Sequence, residues 1–142
     1  MKIVNLAKTV LVITVLLAGM SSCHDKYYED YRNTDEKLCN KDWMLDIESA
    51  DNSTEWYRYI YEFYENGKME KTELHFRNGE NKAYNTQIWH DLNWTWADNS
   101  RERIILGDKG NYTYFDNVMV RDHYLSGVLD GEYVTFTDSK YK

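Results

Sequence analysis

The sequence predicts an all-β domain, an antiparallel up-and-down β-barrel of about eight strands. Short segments alternate apolar and polar residues, which is the period of a strand with one buried face. Turn dipeptides such as Asn66-Gly67 and Asp130-Gly131 separate these segments and favour hairpins. The chain has 13 tyrosines, 5 tryptophans and no proline, a composition that favours strands. Because eight consecutive strands can close on themselves and remove their edges, a barrel fits better than an open sandwich.

The sequence predicts an export signal before this domain. Lys2 and Lys8 are the only charged residues among the first 23, and an apolar run follows them and ends at Cys23. A positive start, a short apolar run and small residues before a cleavage point are the parts of a secretory signal. The run is shorter than the roughly 20 apolar residues that span a bilayer. We therefore expect residues 1–22 to be removed.

The remaining 120 residues fit a single domain. Residues 23–33 are polar and show no periodicity, which predicts a flexible tether, and residues 34–142 are expected to form the barrel. Loss of Lys2 and Lys8 changes the formal net charge from −7 to −9. Such a charge repels phosphate groups, so nucleic acid and anionic lipid head groups are not expected partners.

The domain begins with a short helix and a first strand. Thr34 is placed to cap the helix, because acidic residues follow it in the first turn. The next segment shows a strand period, and its apolar face carries Trp43, Leu45 and Ile47.

The strongest strand candidate covers residues 55–65 and leads into a two-residue turn at Asn66-Gly67. One of its faces carries Tyr57, Tyr59, Tyr61 and Phe63. The chain returns through residues 71–77. We expect Leu74 and Phe76, the apolar residues of this return strand, to point into the core.

Further strand candidates cover residues 83–92, 93–97, 101–106, 112–120, 124–129 and 132–138. The first of these is weak and is expected to break near His90. The candidate at 112–120 is either one strand bent at Asp116-Asn117 or two strands. Asp130-Gly131 joins the last two strands through a two-residue turn.

The order of several segments resembles the lipocalin-like domains of Bacteroidota lipoproteins, namely residues 43–45, 61–67, 94–98, 104–106 and 125–131. In addition, residues 19–23, Gly-Met-Ser-Ser-Cys, resemble the lipobox of bacterial lipoproteins. The resemblance implies that cleavage occurs before Cys23 and that lipid on Cys23 attaches the protein to a membrane. It places the protein in the cell envelope, at the outer membrane, on either its periplasmic face or the cell surface. The alternative is an ordinary secretory signal in which Cys23 occurs by chance.

No pattern in the sequence indicates catalysis. None of the four histidines has the spacing of a zinc site, and no nucleophile elbow occurs. Cys39 is expected to be a small buried residue. We therefore expect no enzyme activity, no cofactor and no metal. The favoured function is non-enzymatic binding of a protein or glycan, and the alternative is a carrier of a small apolar ligand in a partly open barrel. The oligomeric state is left open.

The abundance of aromatic side chains is the unusual feature of this sequence. The faces expected to point inward carry Tyr57, Tyr59, Tyr61, Phe63, Phe76, Trp94, Trp96 and Phe136. Each such ring buries on the order of 150–250 Å², and the interior of an eight-stranded barrel is either filled by side chains or holds one small ligand. A filled core is the favoured interpretation. If a ligand pocket exists instead, Tyr59, Tyr61, Trp94 and Trp96 are the candidate binding residues.

Overall fold

The computed structural model describes residues 31–51 and 54–141 and shows a closed eight-stranded antiparallel barrel. The strands follow one another around the barrel in chain order, which confirms the up-and-down prediction. The elements are α1 (Asp35–Leu38), β1 (Asp42–Glu48), β2 (Glu55–Phe63), β3 (Lys68–Arg77), β4 (Asn85–Trp96), β5 (Ile104–Asp108), β6 (Asn111–Val120), β7 (Tyr124–Leu129), β8 (Glu132–Asp138) and a terminal 3₁₀ turn (Ser139–Tyr141). Within these ranges no helix is long and apolar enough to cross a membrane.

The barrel closes where its first strand meets its last. Trp43 of β1 pairs with Asp138 of β8, and Met44 pairs with Thr137. The last hairpin forms as the sequence predicts, with Leu129 opposite Glu132 and both turn residues, Asp130 and Gly131, at positive φ. Positive φ at both positions is the backbone of the turn that best matches strand twist.

Two strands carry a bulge rather than a break. In β4 one extra residue lies at His90-Asp91, where Asp91 has φ 56°. In β6 the extra residue lies near Asn117, with φ 50°. Residues 85–96 therefore form one strand although a break near His90 was expected, and 111–120 form the single bent strand of the two alternatives. A bulge bends a strand and increases its twist, which helps a sheet to close.

One half of the barrel is filled with side chains. Six large side chains there are completely buried: Trp43, Phe63, Ile104, Phe115, Leu125 and Phe136. Helix α1 closes this end, with Leu38 and Cys39 buried against the core and the Thr34 hydroxyl accepting a hydrogen bond from the Lys37 N–H as the sequence predicts. We call this the filled half.

The segment before α1 is fixed to the barrel. Asn33 is 6% exposed. Its side-chain amide donates to the carbonyls of Arg101 and Val118, and its side-chain oxygen accepts from the Val120 N–H. Asn33 thus replaces backbone pairing beside the bulge of β6. The barrel thus holds the chain before α1 begins, at Asn33 and also at Tyr31, whose carbonyl accepts from Arg121, although the sequence placed both residues in the tether.

The β2–β3 hairpin has a three-residue loop instead of the expected two-residue turn. The Tyr64 N–H donates to the Lys68 carbonyl, and the Gly67 N–H donates to the Tyr64 carbonyl, which leaves residues 65–67 in the loop. Gly67 has φ 78°, as in a turn followed by a left-handed residue. Phe63 consequently faces Met69. A change of register by one residue exchanges the two faces of a strand.

The prediction that Leu74 and Phe76 point inward is therefore wrong. Phe76 lies on the outer wall, where its ring stacks on Trp56 with centroids 3.9 Å apart. Arg58 covers Trp56 from 5.2 Å and forms a two-point ion pair with Asp46. These contacts leave Phe76 only 5% exposed although it faces away from the core. The outer wall has its own small aromatic cluster.

Candidate ligand cavity

A cavity of about 320 Å³ lies above the filled half of the barrel. Its lining is mostly apolar, with a few polar groups: Tyr61, Met69, Lys71, Trp89, Leu92, Leu106, Gly107, Asn111 and Thr113. Inward positions beyond it, such as Gln87 and Glu132, are exposed. The barrel therefore has a filled half and an open half.

The cavity exists because β4 and β5 pair over a short distance. Only Trp94, Thr95 and Trp96 of β4 face partners in β5. Residues 85–93 of β4 pair with β3 on one side and with no strand on the other among the described residues. We call this opening the seam. Both of its sides line the cavity, through Trp89 and Leu92 on β4 and through Leu106 and Thr113 on the β5–β6 hairpin.

Side chains bridge the lower end of the seam. The Asn93 amide donates to the Asp108 carboxylate across the gap, and Lys68 Nζ donates to Asn93 Oδ1 over 2.7 Å. Asp108 begins the two-residue turn between β5 and β6, where it pairs with Asn111. These bonds hold the β5–β6 hairpin near β4 where the backbone ladder has ended.

Lys71 places a positive charge on the inner wall. It lies opposite Tyr61 of β2 and Trp89 of β4. Its ammonium group is 4.8 Å from the ring centre of Trp89 and 5.3 Å from that of Tyr59, which is the range of a cation–π contact. Among the described residues no carboxylate lies within ion-pair distance of it.

Two further polar residues follow Lys71 on the inner face of β3. His75 Nε2 and Glu73 Oε1 are 2.8 Å apart, and both side chains are less than a fifth exposed. The ring of Tyr57 meets the His75 ring edge-to-face at 4.8 Å. Glu73 is therefore paired with His75 and held beside Tyr57. The inner face of β3 carries a cation at mid-height and a carboxylate–imidazole pair nearer the opening.

The two tyrosines beside Lys71 are kept neutral. Burial raises the pKa of Tyr61 to about 12, with smaller contributions from Tyr59 and Glu73. Burial is also the main cause of a raised pKa at Tyr59, followed by Glu73 and Tyr57. Tyrosine is already protonated at neutral pH with its ordinary pKa near 10, so both side chains carry a hydroxyl that can donate a hydrogen bond, and burial extends this state to higher pH.

The four candidate residues from the sequence separate into two pairs. Tyr61 lines the cavity and Tyr59 lies beside Lys71. Trp94 is 6% exposed in the filled half, and its indole N–H donates to the Tyr64 carbonyl over 2.9 Å. Trp96 meets Trp94 edge-to-face at 6.0 Å and donates its indole N–H to Asp35. The structure thus brings Tyr61 to the cavity, places Tyr59 against Lys71 without lining the cavity, and leaves the two tryptophans below it. The lipid-attachment candidate Cys23 lies outside the described residues.

Sequence reasoning missed Lys71, Glu73, His75 and Trp89. A two-residue turn at Asn66-Gly67 predicts that the first three lie on the outer face of β3. With the three-residue loop that the structure shows, Met69 faces Phe63, and every second residue after Met69 points inward. Trp89 sits just before the bulge of β4. Because the bulge adds one residue to β4, Trp89 and Leu92 both point inward although they are three positions apart. A strict alternation counted back from Leu92 and Trp94 therefore places Trp89 on the outer face.

Other depressions are less suited to a ligand with an apolar part. A groove of about 750 Å³ is bounded by Asp46, Glu48, Glu55, Arg58 and other mainly polar residues near the rim of β1 and β2. A shallower one, of about 360 Å³, lies outside the seam. Cys39 is buried, and burial raises the pKa of its thiol to about 12, so it is not a nucleophile at neutral pH. No cluster of metal-ligating side chains occurs in the described ranges.

The fold and the cavity together define the class of protein. It is a closed antiparallel barrel with one filled end and one open end that carries a cation. Comparison of the chain with protein-family models, with curated proteins and with solved structures gives no match. A function for this protein is therefore inferred from the cavity and its lining residues.

Proposed function

We propose that this protein is a non-enzymatic binding protein of the cell envelope and that its barrel cavity takes a small, largely apolar molecule. The observation that carries the proposal is the cavity between Met69, Leu92 and Leu106, which the filled core below does not occupy. Its volume of about 320 Å³ lies at the lower end of the roughly 300–1,000 Å³ typical of small-molecule sites. This makes the carrier alternative stronger than recognition of a protein or glycan by the outer wall.

The seam supports the same function, because it gives a ligand a way into the barrel. Trp89 on one side of the seam is 37% exposed, which is high for an inward tryptophan. An aromatic side chain that is open to solvent and lines a cavity gains buried area when a ligand covers it. The ligand would thus complete a core that the chain itself leaves unfinished.

Anchoring through Cys23 is the second part of the proposal, and it is supported by the lipobox-like residues 19–23. Eight residues lead from Cys23 to Tyr31, a reach of about 28 Å at roughly 3.5 Å per residue. The chain then enters the barrel at Asn33 and α1, on the filled half.

A neutral fluorescent probe tests the cavity. Residues 24–142 are titrated with N-phenyl-1-naphthylamine, whose emission rises in apolar surroundings. We expect saturable binding with one site per chain. Thr113→Trp, which places an indole in the cavity, should abolish it, while Tyr112→Trp, the outward neighbour on β6, should not. Binding that is absent in wild type, or that Thr113→Trp leaves unchanged, would contradict the proposal.

Expression of the full chain in its host tests the anchor. The wild-type protein should partition into the detergent phase, and Cys23→Ala should remain uncleaved at residue 22. Lipid with two or more acyl chains holds a protein far more firmly than one myristoyl chain, whose binding is marginal. Mass spectrometry that finds an unmodified Cys23 at the mature N-terminus would refute the anchoring.

A further inference from the structure

We infer that the ligand of this cavity is an amphiphilic anion, with one carboxylate or similar group held by Lys71 and an apolar body directed toward the filled half. This inference rests on the proposed function, since it names the ligand class of the same cavity. It goes beyond that proposal because a purely apolar ligand would need no charge in the wall.

The first argument is that Lys71 is the one charged residue among those described as lining the cavity. A partly buried charge is unfavourable unless a partner compensates it. The rings of Trp89 and Tyr59 hold the ammonium group but supply no negative charge. A ligand anion would supply it.

The second argument is that the nearby carboxylates are engaged elsewhere. Glu73, the next inward residue on β3, bonds to His75 at 2.8 Å. Asp108, at the lower end of the seam, accepts from Asn93. A chain with 24 acidic residues and a net charge of −7 has many acids available, yet none lies within ion-pair distance of Lys71 among the described residues. Among the described residues, the lining of the cavity therefore carries one cation and no carboxylate.

The third argument is the order of groups along the inner wall. One inward step below Lys71 the wall becomes apolar, with Met69 on β3 and Leu92 facing it on β4. Leu106 continues this apolar surface on β5. The hydroxyl of Tyr61, opposite Lys71 on β2, offers a hydrogen bond at the same height, and Thr113 and Asn111 add polar groups elsewhere in the lining. The wall thus suits a polar head at mid-height and an apolar body below it.

The volume limits the size of the body. Water occupies about 30 Å³ per molecule, so 320 Å³ corresponds to roughly ten groups of that size. A saturated chain of about ten carbons, or a compact ring system of similar size, would fill it. Decanoate is a suitable probe, and 1-decanol and decylamine differ from it only in the head group.

Calorimetric titration of residues 24–142 with these three probes tests the inference, each probe kept below its aggregation concentration. We expect decanoate to bind roughly tenfold or more tightly than 1-decanol, as a hydrogen bond to a charged group predicts, and decylamine to bind worst. Lys71→Met should abolish the preference for decanoate and leave 1-decanol binding within about twofold. Lys71→Arg should retain the preference.

Lys82→Met is the matched control, because it removes an exposed lysine in the β3–β4 loop and the same charge. It should change neither affinity, and equal melting temperatures would show that the Lys71 variants are folded. Equal binding of decanoate and 1-decanol by wild type, or a preference that survives in Lys71→Met, would overturn the inference and leave the carrier function standing. Failure of all three probes, together with failure of the neutral fluorescent probe, would overturn both.

Discussion

At the scale of single residues, two tryptophans of β4 show the division of the barrel. Trp94 is 6% exposed, contacts Phe63 edge-to-face at 5.5 Å and donates its indole N–H to a carbonyl. Trp89, five residues earlier, is 37% exposed and covers Lys71. The same residue type serves as core in one half of the barrel and as cavity wall in the other.

Replacement of each tryptophan by alanine should separate these roles. Trp94→Ala is expected to lower the free energy of unfolding by about 3–5 kcal/mol, the range for deletion of a large buried aromatic. Trp89→Ala should cost less than about 1 kcal/mol, as a side chain away from the core does, and should weaken binding of the cavity probe. Urea denaturation of both variants measures the difference. A Trp94→Ala protein as stable as wild type would contradict the core position of Trp94.

The pKa of Tyr61 makes stability depend on alkaline pH. Because burial raises this pKa from about 10 to about 12 in the folded state, the unfolded chain loses the proton first. The stabilising contribution is complete below pH 10 and is lost as the pH rises toward 12. Between pH 8 and pH 11, wild type should lose roughly 1 kcal/mol more than Tyr61→Phe.

Urea melts of wild type, Tyr61→Phe and Tyr133→Phe at both pH values test this. Tyr133 is 67% exposed on the outer wall, so removal of its hydroxyl should leave the pH dependence as in wild type. An identical loss of stability in wild type and Tyr61→Phe would show that Tyr61 is not responsible.

At the scale of elements, the sequence predicts which strands exist and in what order more accurately than it predicts which of their residues pair. The alternation of Tyr57, Tyr59, Tyr61 and Phe63 identifies β2, and Asp130-Gly131 defines the last hairpin. The face of β3 was predicted wrongly because Asn66-Gly67 fits a two-residue turn and a three-residue loop equally well as a sequence. The apolar residues Leu74 and Phe76 favour the two-residue turn, yet Trp56 and Arg58 cover Phe76 on the outer wall.

The cavity could not be predicted for the same reason. Its cation and its carboxylate–imidazole pair all lie on β3, so a register error of one residue removes every one of them from the interior. The seam was equally hidden, since the sequence of β4 carries no signal for where its pairing with β5 ends. Both features follow from tertiary contacts, which a local alternation pattern does not encode.

At the scale of the whole molecule, the seam interrupts a ring that is otherwise paired. The remaining neighbouring strands form ladders of up to nine residue pairs, as between β2 and β3. The three pairs between β4 and β5 make this the weakest part of the wall apart from the two-pair closure of β1 and β8. Opening near the cavity would need few backbone bonds to break.

Hydrogen exchange should locate this opening. Amides of residues 85–92 that point toward the seam are expected to exchange near the rate of an unstructured chain, so that peptide should retain about half of its protection. A peptide covering residues 56–62 of β2, paired on both sides, should exchange far more slowly. Mass spectrometry of matched peptides measures both. Full protection of residues 85–92 would contradict an open seam.

The pairing of Trp43 with Asp138 links strands made early and late in synthesis. At about 5–20 residues per second, β1 waits roughly 5–20 s for its last neighbour, with one backbone edge free to pair with another nascent chain. Charged side chains discourage such pairing, and β1 carries three of them, Asp42, Asp46 and Glu48. Acidic residues that hold Ser139 and Arg58 in the finished barrel therefore also place negative charge on the strand edge that stays unpaired until β8 arrives.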